Sequence, residues 1–202
     1  MALLPLFSLK TVLFPGGVLP LHIFEPRYRQ MLDDCLRTGQ GFGVVRIRDG
    51  PDVGGDAVPH AVGTLAEIIA VERLPDGRAF VTVLGKSRFR IESVVREKGY
   101  SEARVSPLEA FGGDDAAAWL EVAARLLEGL RAGTEHEIPG TAAGITAEGP
   151  EAASFRIADA LELDDDLRQE LLEIPAAAER LKRLASLITK VGTPLEDAGH
   201  LT

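Results

Sequence analysis

The chain has 202 residues, of which 46% are hydrophobic and 26% are charged, and its net charge is -9. This composition excludes a disordered polymer, and the length allows a core that needs no disulfides. The charge is uneven: residues 1–108 carry 14 basic and 12 acidic side chains, whereas residues 109–202 carry 8 and 19. Because an acidic surface repels phosphate, nucleic-acid binding is disfavoured.

Cysteine content and hydropathy indicate the compartment. Cys35 is the single cysteine, so no internal disulfide can form, as is typical of a reducing environment. The longest uncharged early stretch, Thr11 to Phe24, contains prolines and glycines that break helices, and it is too short to span a bilayer. We therefore expect no signal peptide, no membrane span and a cytoplasmic location.

One helix is predicted in the first half, from about Pro26 to Thr38, with Gly39 placed to terminate it. Its apolar face is predicted to consist of Tyr28, Met31, Leu32, Cys35 and Leu36. The segment from Asp49 to Pro59 is rich in glycine and proline, which predicts an exposed loop.

The rest of the first half is predicted to form strands, because it is rich in valine, isoleucine and phenylalanine. The predicted strands are Gly41–Arg48, Val62–Arg73, Arg78–Leu84 and Ser87–Val95. Between the second and the third, the sequence Leu-Pro-Asp-Gly ending at Gly77 predicts a hairpin turn.

After Leu108 the apolar spacing becomes helical. The residues that carry the helical pattern are Trp119, Val122, Leu126, Leu130, Leu167, Leu171, Ile174, Leu181, Leu184 and Ile188. Residues 133–150 are predicted to be a linker or long loop, and the two halves are expected to join near residues 111–115. We predict an α+β protein with a β-rich domain at 1–110, an α-helical subdomain at 111–191 and a flexible tail at 192–202.

Several segments together resemble the Lon protease N-terminal domain family. The opening, Leu4 to Phe24 (LPLFSLKTVLFPGGVLPLHIF), is followed at once by Glu-Pro-Arg-Tyr ending at Tyr28. Later segments agree in the family's order, namely Phe42–Val45, Val62–Thr64, Leu74–Arg78 and Gly85–Ile91. The similarity is strongest through about residue 108 and looser over the helices.

This resemblance implies a PUA-like, mainly antiparallel β fold followed by a small α-helical bundle. In Lon proteases the region helps to capture substrates for an ATPase ring and a protease domain, and a related domain occurs in the substrate receptor cereblon. We expect a stand-alone form without those two domains, which binds unfolded or extended polypeptide segments and is not an enzyme. A separate protease or chaperone is a further expected partner, and no cofactor is expected.

Catalytic patterns are weak. Residues 84–87 (LGKS) copy the end of a phosphate-binding loop, but Phe80 occupies the position of its first glycine. Ser186 and Lys190 have a spacing that any solvated helical face produces. Cys35 is expected to be core rather than a nucleophile paired with one of the four histidines, which are His22, His60, His136 and His200. Those histidines lack metal-ligand spacing, so no metal is predicted.

Two sets of binding candidates follow. An apolar peptide cleft beside the predicted helix would use Phe14, Leu19, Leu21, Ile23, Arg27, Tyr28 and Met31. These apolar residues could equally fill the core. The rival hypothesis is RNA binding by a basic strand face, which would use Arg46, Arg48, Arg88 and Arg90. The dilution of this charge by neighbouring acidic groups favours a solvated face instead.

Overall fold

The computed structural model describes residues 3–54, 57–111, 113–132 and 142–192. The strands are β1 (Leu4–Leu9), β2 (Val18–Ile23), β3 (Phe42–Asp49), β4 (Val58–Arg73), β5 (Ala79–Lys98) and β6 (Tyr100–Pro107). The helices are α1 (Pro26–Thr38), α2 (Ala116–Ala132), α3 (Ala142–Ala147), α4 (Pro150–Ala160), α5 (Asp165–Glu173) and α6 (Ala177–Gly192). The predicted α+β class is confirmed.

The chain divides into two compact units. The first consists of residues 1–109 together with Leu163–Glu173, and the second of residues 110–162 together with residues 174–202. We predicted one contiguous helical subdomain at 111–191. The observed division differs in that Leu163–Glu173 belongs to the first unit. The predicted tail lies almost entirely outside the described residues, as do His136 and His200.

The first unit is built on a single mixed sheet whose strand order is β2-β5-β4-β3-β1-β6. The sheet closes on itself because β6 pairs with β1 and also with the second half of β5. All pairings are antiparallel except β1 with β3. Strand β2 pairs with the first half of β5 alone, so it forms a free edge in the described part of the chain.

Strand β5 unites two segments that we predicted as separate strands. It runs for 20 residues, and a bulge near Lys86 and Ser87 lets it continue past Gly85. The predicted hairpin turn is confirmed: the Gly77 N–H donates to the Leu74 carbonyl at 3.0 Å, and Gly77 has a φ of 83°. Glycine fits there because other residues are strained at positive φ.

Helix α1 has the predicted bounds. Pro26 opens it, and Gly39, with a φ of 66°, ends it while its N–H donates to the Cys35 carbonyl. Tyr28, Met31, Leu32 and Cys35 are buried as predicted, whereas Leu36 is 41% exposed. The predicted apolar face was therefore one residue too wide.

The main core of the first unit lies between α1 and the inner face of the sheet. It contains Phe7, Leu21, Ile23, Met31, Phe42, Val81 and Val83, among others. A second cluster around Leu6 and Phe89 fills the space within the other half of the sheet. Burial of this apolar surface is the main stabilising term of the fold.

Helix α5 belongs to the first unit and is attached to the sheet by polar contacts. The buried Arg88 donates to the carbonyl of Leu172 at 2.8 Å, and Gln169 donates to the carbonyl of Val62 at 3.2 Å. The guanidinium of Arg168 lies 4.7 Å from the ring centroid of Phe14. These side chains satisfy backbone carbonyls that burial would otherwise leave without donors.

The second unit contains helices α2, α3, α4 and α6. The predicted helices around Trp119 and Leu184 are present. Leu120, Ala123, Ala124 and Leu127 of α2 are buried, and Trp119, Val122 and Leu126 are partly buried. Helix α3 lies within the predicted linker, so that part of the prediction was wrong. The fully buried Arg180 binds Glu151 at 2.5 Å and donates to the Ser154 hydroxyl at 2.7 Å.

Candidate peptide-binding site

Strand β2 separates its side chains cleanly into two rows. Leu21 and Ile23 are buried in the core, and Leu19 packs partly against it. Val18, Pro20 and His22 are exposed on the opposite side, and we call them the outer row. This alternation follows from the two-residue period of a strand.

The neighbouring strand β5 continues the apolar surface of the outer row. Val18 pairs with Leu84, Pro20 with Thr82, and His22 with Phe80. The ring of His22 stacks on that of Phe80, with centroids 4.8 Å apart and planes inclined by 24°. We call the outer row together with its three partners the outer face.

Aromatic exposure is concentrated at one end of the outer face. Phe80 is 48% exposed, and Phe24, whose ring centroid lies 5.5 Å from that of His22, is 44% exposed. Large aromatic side chains on a surface are typical of binding sites, because each offers a large apolar area that a partner can cover. Two exposed aromatic side chains and the His22 ring are therefore grouped at this end.

Hollows lie at both ends of the outer face. At the Val18 end, a shallow groove of about 840 Å³ is lined by Gly16, Leu84, Gly85 and Lys86, among others. At the His22 end, a pocket of about 150 Å³ is lined by Phe24, Tyr28 and Val53, together with residues of β1.

The structure corrects the predicted peptide surface. Phe14, Leu21, Ile23, Tyr28 and Met31 are all buried, so these five mainly fill the core. Leu19 is partly buried and packs on the same core. The predicted residues of β2 thus lie on its inward side, whereas the outer row and Phe80 were not among the predicted residues.

Arg27 and Tyr28 hold structural contacts. Arg27 forms an ion pair with Glu25 at 3.1 Å, and its guanidinium lies 4.5 Å from the centroid of the Tyr28 ring. The backbone N–H of Ser8 donates to the Tyr28 hydroxyl at 3.4 Å. Burial raises the pKa of Tyr28 above its usual value. Of this pair, only Tyr28 lines the pocket at the His22 end.

The predicted basic strand face is not assembled. Arg88 is buried against α5, and Arg46 forms an ion pair with Asp166 at 2.7 Å. Arg48 and Arg90 are exposed. Two of the four arginines are thus occupied by contacts with α5, which corrects the predicted RNA surface.

Two of the catalytic candidates, Cys35 and Lys86, make structural contacts in the described part of the chain. Cys35 is buried as predicted, with its sulfur 3.9 Å from the carbonyl oxygen of Gly41. Lys86, in the segment that imitates a phosphate loop, forms an ion pair with Glu67 at 2.9 Å. Within the described ranges no three His, Cys, Asp or Glu side chains are grouped as a metal site. None of the helices described there has the length and apolar composition that crossing a bilayer requires.

Comparisons with known proteins cover almost the whole chain. The family model for the ATP-dependent protease La (LON) substrate-binding domain matches residues 3–190. The Lon protease of Xanthomonas oryzae pv. oryzae is 30% identical over 92% of this chain, and that of Flavobacterium johnsoniae is 36% identical over 50%. The chain spans 22% of the first relative and 13% of the second.

Solved structures agree with this placement. The crystal structure of a Lon N-terminal domain protein from Xanthomonas campestris has a TM-score of 0.66 and 29% identity, and the match covers 92% of this chain and 98% of that one. The N-terminal domain of the Mycobacterium avium complex Lon protease has a TM-score of 0.71 at 21% identity, with coverage of 93% and 98%, which shows the same fold.

These findings define a domain of the Lon N-terminal, substrate-binding class. The chain belongs to the LON substrate-binding domain family, and the resemblance predicted from the sequence is confirmed. Nothing in the comparisons supports the RNA-binding alternative.

Proposed function

We propose that this protein binds unfolded or extended polypeptide segments on the outer face of β2 and β5. The observation that carries the proposal is the stack of His22 on Phe80 beside the exposed Phe24, on the free edge of the sheet. A protein with this arrangement offers aromatic area to a partner, and a strand edge to pair with.

The location of charge also supports a polypeptide ligand. Along the outer row and its partners on β5, no side chain carries a fixed charge. Apolar and neutral polar groups favour the exposed hydrophobic segments of unfolded proteins, and they give little attraction to a phosphate backbone. The family match to a substrate-binding domain agrees with this choice.

The test uses a permanently unfolded protein and its folded form. Reduced, carboxymethylated α-lactalbumin and native α-lactalbumin are titrated against the protein by isothermal calorimetry. Binding of the unfolded form alone, with a negative heat-capacity change, is expected because apolar surface is buried. Equal binding of both forms, or of neither, contradicts the proposal.

A salt series separates polypeptide binding from RNA binding. Affinity for the unfolded protein is expected to change little between 50 and 200 mM salt, because the outer face carries no fixed charge. Single-stranded RNA is titrated in parallel. Tight RNA retention that falls steeply with salt is the result that favours the rival hypothesis.

A further inference from the structure

The hydrogen-bonding phase of β2 determines which of its backbone groups are free. The N–H of Gly85 donates to the carbonyl of Gly17 at 2.9 Å, which places this pair at a bonded position of the ladder, although the Gly85 carbonyl accepts from the N–H of Gly16. Bonded and non-bonded pairs alternate along antiparallel strands. Val18, Pro20 and His22 therefore stand in non-bonded pairs with β5, and their backbone groups point away from it.

Two further observations agree with this phase. Pro20 has no N–H, so it fits only where no bond to β5 is required. Side chains of non-bonded pairs lie closer together than those of bonded pairs, and His22 and Phe80 are in ring contact at 4.8 Å. The free edge thus presents the N–H groups of Val18 and His22, and the carbonyl groups of all three outer-row residues.

The free edge of β2 has three carbonyl acceptors but two N–H donors. This imbalance distinguishes a foreign peptide from a second copy of this chain as the bound strand. A second copy paired antiparallel through its own β2, centred on Pro20, would leave the two Pro20 carbonyls facing each other without a donor. A peptide without proline at the central position supplies an N–H to that carbonyl. The edge consequently favours a foreign strand over a second copy of this chain.

We propose that the bound polypeptide adds to the sheet as an antiparallel strand beside β2, with its apolar side chains on the outer face. The antiparallel direction is chosen because parallel pairing is slightly less stable per residue. This inference rests on the proposed function, and it specifies the ligand. The ligand is an extended segment with free N–H groups at three alternate residues, and the apolar side chains of those same residues lie beside the outer row.

Backbone methylation of a synthetic peptide tests the inference. The probe is a fluorescein-labelled peptide of sequence KTVTFTVTK, whose valine and phenylalanine residues alternate with threonine. Methylating the amide nitrogens of the Val, Phe and Val residues is expected to weaken binding at least tenfold by fluorescence anisotropy, because three hydrogen bonds are lost. The matched control carries three methyl groups on the amide nitrogens of Thr residues 2, 4 and 6 instead, and should bind like the parent.

The outcomes distinguish this inference from the proposed function. Equal binding of both methylated peptides, or stronger loss from the threonine series, overturns strand addition. Failure of the parent peptide while unfolded α-lactalbumin still binds overturns it as well, and leaves the proposed function intact. If neither ligand binds, both proposals are overturned together.

A variant of the protein gives an independent measurement. Pro20→Val supplies the missing donor without disturbing the pairing with β5, because Pro20 stands in a non-bonded pair. It is expected to tighten binding of the parent peptide about fivefold, through one additional hydrogen bond. The same variant should self-associate in sedimentation velocity runs, since its edges now match. Unchanged peptide affinity and an unchanged oligomeric state would count against the inference.

Discussion

His22 and Phe80 face each other across the β2 and β5 strands, and their rings stack at 4.8 Å on the solvent side of the sheet. Neither side chain is needed to fill the core, because the inward residues of both strands do that. The pair therefore offers a way to change binding without changing folding, which the first prediction uses.

Phe80→Ala is expected to weaken binding of reduced, carboxymethylated α-lactalbumin about tenfold, because a large aromatic side chain that a partner covers contributes strongly. The matched control is Phe111→Ala, since Phe111 is exposed to a similar extent but lies in the second unit. Calorimetric titration measures both variants. Equal losses for the two would place the binding surface elsewhere.

The two rows of β2 should differ in their effect on stability. Leu21→Ala is expected to lower the free energy of unfolding by about 2–5 kcal/mol, because it leaves a cavity in the core. Val18→Ala, at a position 58% exposed, should change it by no more than about 0.5 kcal/mol. Urea denaturation followed by circular dichroism measures both. A large effect of Val18→Ala is incompatible with the exposure described for the outer row.

Arg88 is expected to be a stability residue and not a ligand residue. Arg88→Ala removes the donor to the Leu172 carbonyl and the packing of the buried stem, which should cost about 2–3 kcal/mol. Its neighbour Arg90 is exposed on the same strand, so Arg90→Ala serves as the control and should cost no more than about 0.5 kcal/mol. Equal stability of the two variants in urea would show that α5 is not held by this contact.

Two buried tyrosines predict a loss of stability at alkaline pH. Burial is the main cause that raises the pKa of Tyr28, and burial together with the hydrogen bond to Asp34 raises the pKa of Tyr100. Because the folded pKa exceeds the unfolded value of about 10, the stabilisation is complete below pH 10 and is lost as pH rises through the folded pKa. Stability measured in urea should therefore fall as the pH rises above about 10.

A double variant isolates this alkaline effect. Tyr28→Phe combined with Tyr100→Phe removes both phenols, so its stability should depend less on pH over the same range. The Tyr100 change also loses the 2.9 Å hydrogen bond to Asp34, which is expected to cost about 1 kcal/mol at neutral pH. An alkaline decline as steep as that of the parent protein would assign the effect to other groups.

The sequence predicted local features well, because each had a local cause. Helix α1 was placed to the residue, since Pro26 and Gly39 mark its ends, and the turn at Gly77 was identified from its own four residues. The proposed binding surface was harder to predict. The apolar composition of β2 indicated the segment, but the exposed row consists of valine, proline and histidine, which resembles ordinary solvated strand surface.

Long-range contacts account for what the sequence did not predict. The burial of Arg88 depends on a helix 84 residues further along the chain, and no local pattern relates the two. The single strand β5 was divided in the prediction because Gly85 resembles a turn residue, whereas the structure accommodates it through a bulge. Such features depend on which elements pack together, and local propensity carries no information about that.

The late position of α5 in the chain constrains the order of events during synthesis. All six strands have been synthesised once Pro107 is added to the chain. Helix α5, which donates to the Val62 carbonyl and accepts from Arg88, is not complete until Glu173. The nascent sheet therefore lacks the contacts of Phe14 and Arg88 with α5 while more than 60 further residues are synthesised. Translation speed over this interval sets how long a holding chaperone would have to shield the incomplete sheet.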